Sequence, residues 1–320
     1  MLRGMSGGLV GWLGLLLVGC TVNNIPAAHP TATPDLGQGA FSTATPLPTI
    51  PPPATLAAET PLPTIALPTR TPYPDDVRFT IGDSVEGRAL WAWQFGQGDQ
   101  RLVLVGGIHG GYEANSTLLA EMLVDYYRDH PDDVIPGIQL IIIPAANPDG
   151  LTRGSDLDAR FNANGVDLNR NWGCAWEPTA FLRDIEVSPG PRPFSEPETQ
   201  ALRAFFLAHK PAAVVFYHSA VGAVYMGACG NHPAADWMGD LLEEATGYPY
   251  QASFDYYEVS GDATDWLSER DIPAATVELY TRDSPEYERN LRGVQALQCA
   301  LAEKEPASIV TAAYERLCQE

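Results

Sequence analysis

Short apolar runs alternate with amphipathic stretches from about Val77 to the C-terminus, and this alternation constrains the fold more than any other feature. A run of four to eight apolar residues is typical of a strand buried on both faces, whereas a period of about 3.6 residues is typical of a helix that covers a sheet. The pattern predicts an α/β/α sandwich with a mixed, largely parallel central sheet. Predicted strands are 102–108, 138–144, 212–217 and 274–279, and predicted helices are 115–127, 196–206 (opened by a capping box from Ser195 to Glu198) and 291–301.

Polar residues follow the predicted strands directly. His109 comes after the first, Asn147 after the second, His218 after a later one, and Glu278 lies at the end of the last. Because active sites of open α/β sheets lie beyond the carboxyl ends of the strands, we expect these residues to share one site.

His109, His218 and a nearby glutamate form the two-imidazole, one-carboxylate set that is typical of a catalytic zinc with an open fourth position. The alternative is that each histidine is a hydrogen-bonded structural residue. Glu278 on an apolar strand favours chemistry, because a buried carboxylate is costly unless it is paired or functional.

Several motifs occur in one order after the linker described below. They are Asn147-Pro148-Asp149-Gly150, the segment from Arg160 to Trp172, Phe194-Ser195-Glu196-Pro197-Glu198-Thr199, Tyr217-His218-Ser219, Tyr257 to Gly261 with Asp265-Trp266, and Thr276-Val277-Glu278-Leu279. Together they closely resemble the zinc carboxypeptidase A/B family, the funnelins, over essentially everything after the linker.

The resemblance implies a catalytic centre with one zinc ion per chain. His109, Glu113 and His218 would bind the zinc, and Arg160 would polarise the scissile carbonyl. Glu278 would be the general base that activates the attacking water held by zinc.

The resemblance also implies a substrate-binding set. Asn169 and Arg170 would hold a substrate carboxylate, and Tyr257 would close over the bound substrate. Thr264 aligns with the family's usual selector of the C-terminal side chain and would suit small or polar side chains. Asp262 would instead bind an amine, such as that of lysine or diaminopimelate, or would be a solvated loop residue.

One departure from the family pattern concerns the first two ligands. The family usually has two residues between them, whereas Gly110, Gly111 and Tyr112 separate His109 from Glu113 here. The two glycines would let the loop bulge so that both ligands still converge. The alternative is that Glu113 only begins the following helix and stabilises its N-terminus.

The resemblance implies a metallocarboxypeptidase that hydrolyses the C-terminal bond of a peptide with a free carboxylate. The alternative is a murein-peptide amidase that cleaves a γ-glutamyl-diaminopimelate bond, because the domain resembles those enzymes in size. A deacylase of the aspartoacylase type and an inactive surface-binding pseudoenzyme are further alternatives. We expect a monomer. The net charge of −21 argues against nucleic acid as a partner.

The first 75 residues predict export and a spacer. Residues 1–20 contain Arg3 and an apolar stretch that ends at Cys20, and they resemble the signal peptide and lipobox of bacterial lipoproteins. In residues 21–75, 13 of 55 residues are Pro and 11 are Thr, which predicts a disordered, extended linker. Residues 76–320 would then form the catalytic domain of an extracytoplasmic lipoprotein anchored to a membrane through Cys20. An uncleaved anchor or a chance cysteine is the alternative.

Four further cysteines fit an oxidising compartment: Cys174, Cys229, Cys299 and Cys318. Three pairings are possible. We predict Cys299–Cys318, which would join the last helix to the tail, and Cys174–Cys229, which would join two loops near the site. Four free thiols are the alternative.

Overall fold

The computed structural model describes residues 78–303 and 312–318. The strands are β1 (Arg78–Asp83), β2 (Ala89–Phe95), β3 (Gln100–Val105), β4 (Ile138–Ile143), β5 (Ala180–Leu182), β6 (Ile185–Val187), β7 (Ala213–Ser219), β8 (Ala223–Met226), β9 (Tyr250–Gln251) and β10 (Ala274–Leu279). The α-helices are α1 (Ala114–Asp129), α2 (Pro148–Leu151), α3 (Pro197–His209), α4 (Asp236–Thr246), α5 (Ala263–Ser268), α6 (Tyr287–Ala302) and α7 (Ala312–Cys318). Short 3₁₀ turns cover Gly110–Glu113, Pro131–Asp133, Leu157–Arg160 and Leu168–Arg170.

Eight strands form one sheet in the order β1-β2-β4-β3-β7-β10-β8-β9. The four central strands, β4, β3, β7 and β10, run parallel. Antiparallel pairing adds β2 and β1 at one edge and β8 at the other, where β9 joins β8 in parallel. The sheet is therefore mixed with a parallel centre, as the sequence predicts, and β5 and β6 form a separate hairpin.

The central strands are buried on both faces, which explains their continuous apolar runs. In β3, Leu102 and Leu104 belong to one hydrophobic cluster, whereas Val103 and Val105 belong to the other. Helices α1, α4 and α6 contribute to the first cluster, and α3 and α5 to the second. The predicted sandwich is confirmed.

Most predicted elements agree with the structure to within a few residues. The first predicted strand ends at Val105 and not at Ile108. Gly106 and Gly107 already belong to the loop that leads to His109.

The predicted capping box of α3 is wrong. Ser195 Oγ donates to the Glu196 carboxylate (2.6 Å), and Glu198 accepts from the backbone N–H of Val85 (3.1 Å) and from Asn162. The helix begins at Pro197 with Glu196 as its N-cap residue, and no side chain caps it.

Both predicted disulfides are present. Cys174 pairs with Cys229, and Cys299 pairs with Cys318, with Cα–Cα distances of 6.4 and 5.7 Å. The second bond joins α6 to α7.

The predicted signal segment, Cys20 and the Pro/Thr-rich linker lie outside the described residues. Among the helices that the structure describes, none combines the length and the hydropathy that a membrane crossing requires.

Candidate metal centre and substrate cavity

The carboxyl ends of the central strands open onto a cavity of about 990 Å³. β3 leads to His109, β7 carries His218, and β10 carries Glu278, which is in register with His218 on the neighbouring strand. All three side chains line the cavity, as the strand-end positions predict.

Two histidines and one glutamate place their ligand atoms together in the interior. His109 Nδ1 lies 2.9 Å from Glu113 Oε1 and 3.2 Å from His218 Nδ1, and His218 Nδ1 lies 3.3 Å from Glu113 Oε2. The three side chains are each at most 4% exposed. A tetrahedral zinc with bonds of about 2.0–2.1 Å needs ligand atoms about 3.3 Å apart, so this donor set fits zinc.

The loop between the first two ligands is shaped by its glycines. Residues 110–113 form a 3₁₀ turn, and Gly110 has φ of 48°. A Cβ on Gly111 would lie 1.8 Å from the carbonyl oxygen of Gly154, so only glycine fits there. The turn lets His109 and Glu113 converge despite the three residues between them.

Glu113 is also the residue immediately before α1, but its carboxylate accepts no capping hydrogen bond from the first turn of that helix. It turns to the histidines and accepts from the backbone N–H of Ser219 (3.1 Å). Burial alone raises the pKa of Glu113, but His109 and His218 outweigh burial and hold that pKa well below its usual range. The position precedes a helix, and the side chain belongs to the His109-Glu113-His218 donor set that could hold a metal ion.

Arg160 is buried beside the donor set and is paired with Asp167. Its Nε donates to Asp167 Oδ2 (2.7 Å), and its Nη1 lies 3.4 Å from Glu113 Oε1. Asp167 Oδ1 lies 3.4 Å from His109 Nε2. Burial raises the pKa of Asp167, but the charge of Arg160 holds it well below its usual range.

Asp167 thus contacts one predicted ligand and one predicted catalytic residue, a role that no pattern in the sequence predicted. Its place two residues before Asn169, inside the motif that carries the family resemblance, was the available signal. Asn147 has a related role, because its amide donates to the carbonyl oxygen of Arg160 (3.1 Å) and fixes that loop.

Glu278 has the environment that a general base needs. Its Oε2 is buried and accepts no hydrogen bond from the described residues. Burial, reinforced by the charge of Glu113, raises the pKa of Glu278 to about 7, although His218 and Arg160 act in the opposite direction. A carboxylate with a pKa near neutrality exchanges protons readily at physiological pH.

Arg170 supplies a guanidinium to another part of the cavity. Its Nη1 donates to the carbonyl oxygen of Asn169 (2.8 Å), and its Nη2 donates to that of Phe181 (3.2 Å). The Tyr257 ring lies 6.0 Å from its Cζ. Arg170 is only 2% exposed, and no carboxylate of the described residues forms an ion pair with it. The cation is therefore buried without a salt-bridge partner among the described residues, and the Asp167 carboxylate interacts with it only at longer range.

Asn169 lines the cavity, but its amide is engaged within the protein. Its Nδ2 donates to Asp262 Oδ2 (2.7 Å), and its Oδ1 accepts from the N–H of Ala263 (3.1 Å). The structure brings Asn169 together with Arg170 and Tyr257.

Asp262 is a buried helix cap and not a solvated loop residue. Its Oδ1 accepts from the N–H of Thr264 (2.7 Å) and from the Thr264 hydroxyl (2.6 Å) at the start of α5. Asp265 lines the same cavity, and burial together with the charge of Asp262 raises the pKa of Asp265 to about 7. No pattern in the sequence predicts a role for Asp265.

Residues 68–292 match the profile of the zinc carboxypeptidase family. The chain belongs to that family. A curated relative, murein peptide amidase A of Escherichia coli K12, is 34% identical over 147 residues, which are 43% of this chain and 56% of the relative. The chain thus spans about half the length of the curated relatives that it matches.

Two solved structures share the fold. The murein-tripeptide amidase of E. coli O157 is 24% identical, covers 68% of this chain and 91% of its own, and has a TM-score of 0.54. Bovine thrombin-activatable fibrinolysis inhibitor, solved in complex with tick carboxypeptidase inhibitor, is 20% identical to this chain. The match covers 71% of this chain and 90% of the bovine protein, with a TM-score of 0.62.

Proposed function

We propose that this chain is a zinc-dependent exopeptidase that hydrolyses the amide bond of a residue with a free carboxylate. The observation that carries the proposal is Arg170, a buried guanidinium without an ion-pair partner among the described residues, in the cavity that contains the metal donor set. A desolvated cation needs an anion, and the planar fork of arginine matches a carboxylate in two hydrogen bonds. The substrate supplies that anion.

When bound by His109, Glu113 and His218, zinc supplies a Lewis acid and lowers the pKa of water to about 7. The other steps belong to this chain's own residues. Glu278 takes a proton from the attacking water and delivers it to the leaving amine. Arg160, fixed by Asp167, stabilises the negative charge that develops on the carbonyl oxygen, an effect typically worth a few kcal/mol.

A murein-peptide amidase is the second candidate. The curated relative with 34% identity carries that name, and diaminopimelate offers both a carboxylate for Arg170 and an amine. Asp265 lines the same cavity. In a murein-peptide amidase its carboxyl group would bind the amine of diaminopimelate. Peptides and murein fragments both present a free carboxylate, so the Arg170 proposal covers both.

We propose further that the enzyme is a monomer that works outside the cytoplasm, anchored through lipid on Cys20. The apolar stretch before Cys20 and the Pro/Thr-rich linker support the export and the lipid anchor. Mass spectrometry of the N-terminal peptide tests it: a diacylglyceryl group on Cys20 is the expected result, and an unmodified Met1 terminus contradicts it.

The proposed activity is tested with one peptide panel and murein tripeptide, each offered with its terminal carboxylate free and then amidated. Amidation leaves Arg170 buried without a carboxylate partner, which costs on the order of 2 to 5 kcal/mol, or roughly 30-fold to several thousand-fold in kcat/KM. Equal values for the two forms would favour an endopeptidase or a deacylase. Zinc binding without turnover of any member would favour the pseudoenzyme.

A further inference from the structure

The five residues 195–199, which open α3 and are called the clamp segment below, contact the loop that carries both arginines of the proposed mechanism. That loop, residues 160–171, is called the arginine loop. The clamp segment contributes no residue to the metal donor set or to the cavity wall. Its polar side chains reach two asparagines instead, Asn162 and Asn171, which lie two residues after Arg160 and one residue after Arg170.

The first contact holds the turn that follows Arg160. Asn162 is fully buried, and its Nδ2 donates to Glu196 Oε2 (2.8 Å) and to Glu198 Oε2 (3.1 Å). Its Oδ1 accepts from the backbone N–H of Val166 (3.1 Å) and so closes the turn. The two glutamates therefore fix the start of the arginine loop.

The second contact holds the residue after Arg170. Asn171 is also fully buried, and its Oδ1 accepts from Thr199 Oγ1 (2.7 Å) and from the backbone N–H of Glu196 (3.3 Å). Its Nδ2 donates to Ser195 Oγ (2.9 Å). The clamp segment therefore also fixes the end of the arginine loop.

These contacts do not serve the helix end, because no side chain caps α3. They are costly to build, since burial raises the pKa of Glu198 and a buried carboxylate needs hydrogen bonds to offset its desolvation. The clamp segment is itself anchored, because Leu202 and Phe206 of α3 are fully buried against the sheet. A site whose residues are supported by such a rigid element keeps its geometry, and a misplacement of about 1 Å can cost about 100-fold in rate.

We infer that the clamp segment positions the two arginines separately, Arg160 through Glu196 and Glu198 and Arg170 through Thr199. These are positioning residues, because each acts through an asparagine of the arginine loop. Arg160 stabilises charge that develops in the transition state, whereas Arg170 binds a carboxylate that is present throughout the reaction. Disturbance of the first end should therefore lower kcat, and disturbance of the second should raise KM. The inference rests on the proposed function, which supplies the roles of both arginines.

Each end has a disruptive variant and a conservative one. Glu196→Ala removes the oxygen that Asn162 contacts but keeps the backbone N–H that bonds Asn171. Glu196→Gln keeps one oxygen for Asn162 and offers an N–H that Ser195 Oγ can accept. Thr199→Val removes only the hydroxyl, and Thr199→Ser restores it.

A second variant and two controls complete the set. Glu198→Gln keeps the shape of the side chain but cannot accept from both of its partners, so it tests the first end whether or not Glu196→Ala folds. Glu177→Ala and Thr179→Val are the matched controls, because both residues are exposed and lie between the arginine loop and the clamp segment in the chain. Zinc content and thermal unfolding are measured for every variant.

The probe is the panel substrate with the highest wild-type kcat/KM, offered with its terminal carboxylate free and then amidated. Binding of the free form is also measured by calorimetry in a Glu278→Gln background. Glu196→Ala and Glu198→Gln should lower kcat, the former about tenfold, with binding changed less than about twofold. Thr199→Val should weaken binding and reduce the preference for the free form, both about tenfold, with kcat nearly unchanged. The conservative variants and the controls should behave like the wild type.

Variants that lack the arginines separate positioning from a general structural role. Glu196→Ala should add no loss of kcat to Arg160→Gln, and Thr199→Val should add no loss of binding to Arg170→Gln. The same added loss in these backgrounds, parallel changes of kcat and binding at both ends, or changes below about twofold at both ends would overturn the inference. A wild type without hydrolysis or without preference for the free form rejects the proposed function and the inference with it. A wild type with both, whose variants do not separate kcat from binding, rejects the inference alone.

Discussion

Asp167 joins the metal centre to Arg160, and Asp167→Asn tests that connection with little change in shape. The wild-type carboxylate is fully buried, 2.7 Å from Arg160 Nε and 3.4 Å from His109 Nε2. Loss of one partner of a buried ion pair costs about 3–5 kcal/mol. Glu113 remains 3.4 Å from Arg160, so we expect a loss of about 2–4 kcal/mol in the free energy of unfolding.

The assay is urea unfolding of chelated and zinc-loaded protein, together with zinc competition against a chelator. Residues that orient metal ligands typically contribute 10- to 100-fold in affinity, so zinc affinity should fall by about that factor in Asp167→Asn. Asp158→Asn is the control, because Asp158 is exposed on the same segment. A stability change below about 0.5 kcal/mol with unchanged zinc affinity would refute the connection.

Two further variants test the metal ligands and the cavity acids. Elemental analysis should find one zinc equivalent in the wild type and much less in His218→Ala, and a full equivalent in the variant would remove His218 from the ligand set. The raised pKa of Asp265, about 7 against the usual 3.8, means that the folded state holds a proton longer than the unfolded state. The contribution of Asp265 to stability should therefore fall as pH rises from about 4 to about 7, by at most about 4 kcal/mol. Asp265→Asn should be no more stable than the wild type at pH 4 but more stable at pH 8, and parallel pH profiles of thermal unfolding would contradict this.

The sequence predicted the sheet and its strand-end residues because burial on both faces leaves a strong local signal. The apolar runs of β3, β4 and β7 are continuous, and the polar side chains at the carboxyl ends of β3, β7 and β10 line one cavity. His109, His218 and Glu278 were therefore found from their positions alone. The role of Glu113, with its changed spacing, depended on the family resemblance and on two glycines.

Partners that are distant along the chain were not predictable. Asp262 bonds Asn169, 93 residues away, and Asn115 bonds the carbonyl oxygen of Thr281, 166 residues away. No local pattern encodes such contacts, because they exist only after the sheet has brought the loops together. The capping box at Ser195 failed for the same reason: Glu198 has tertiary partners that outcompete the helix end.

The central claim is that Glu278 activates water beside a zinc ion in this cavity, and Glu278→Gln tests it most directly. Turnover of a free-carboxylate substrate and zinc content are measured on the same purified sample. We expect turnover to fall by about two orders of magnitude or more, a range typical of general-base loss, with one zinc per chain retained. Near-normal turnover in zinc-loaded Glu278→Gln would contradict the account.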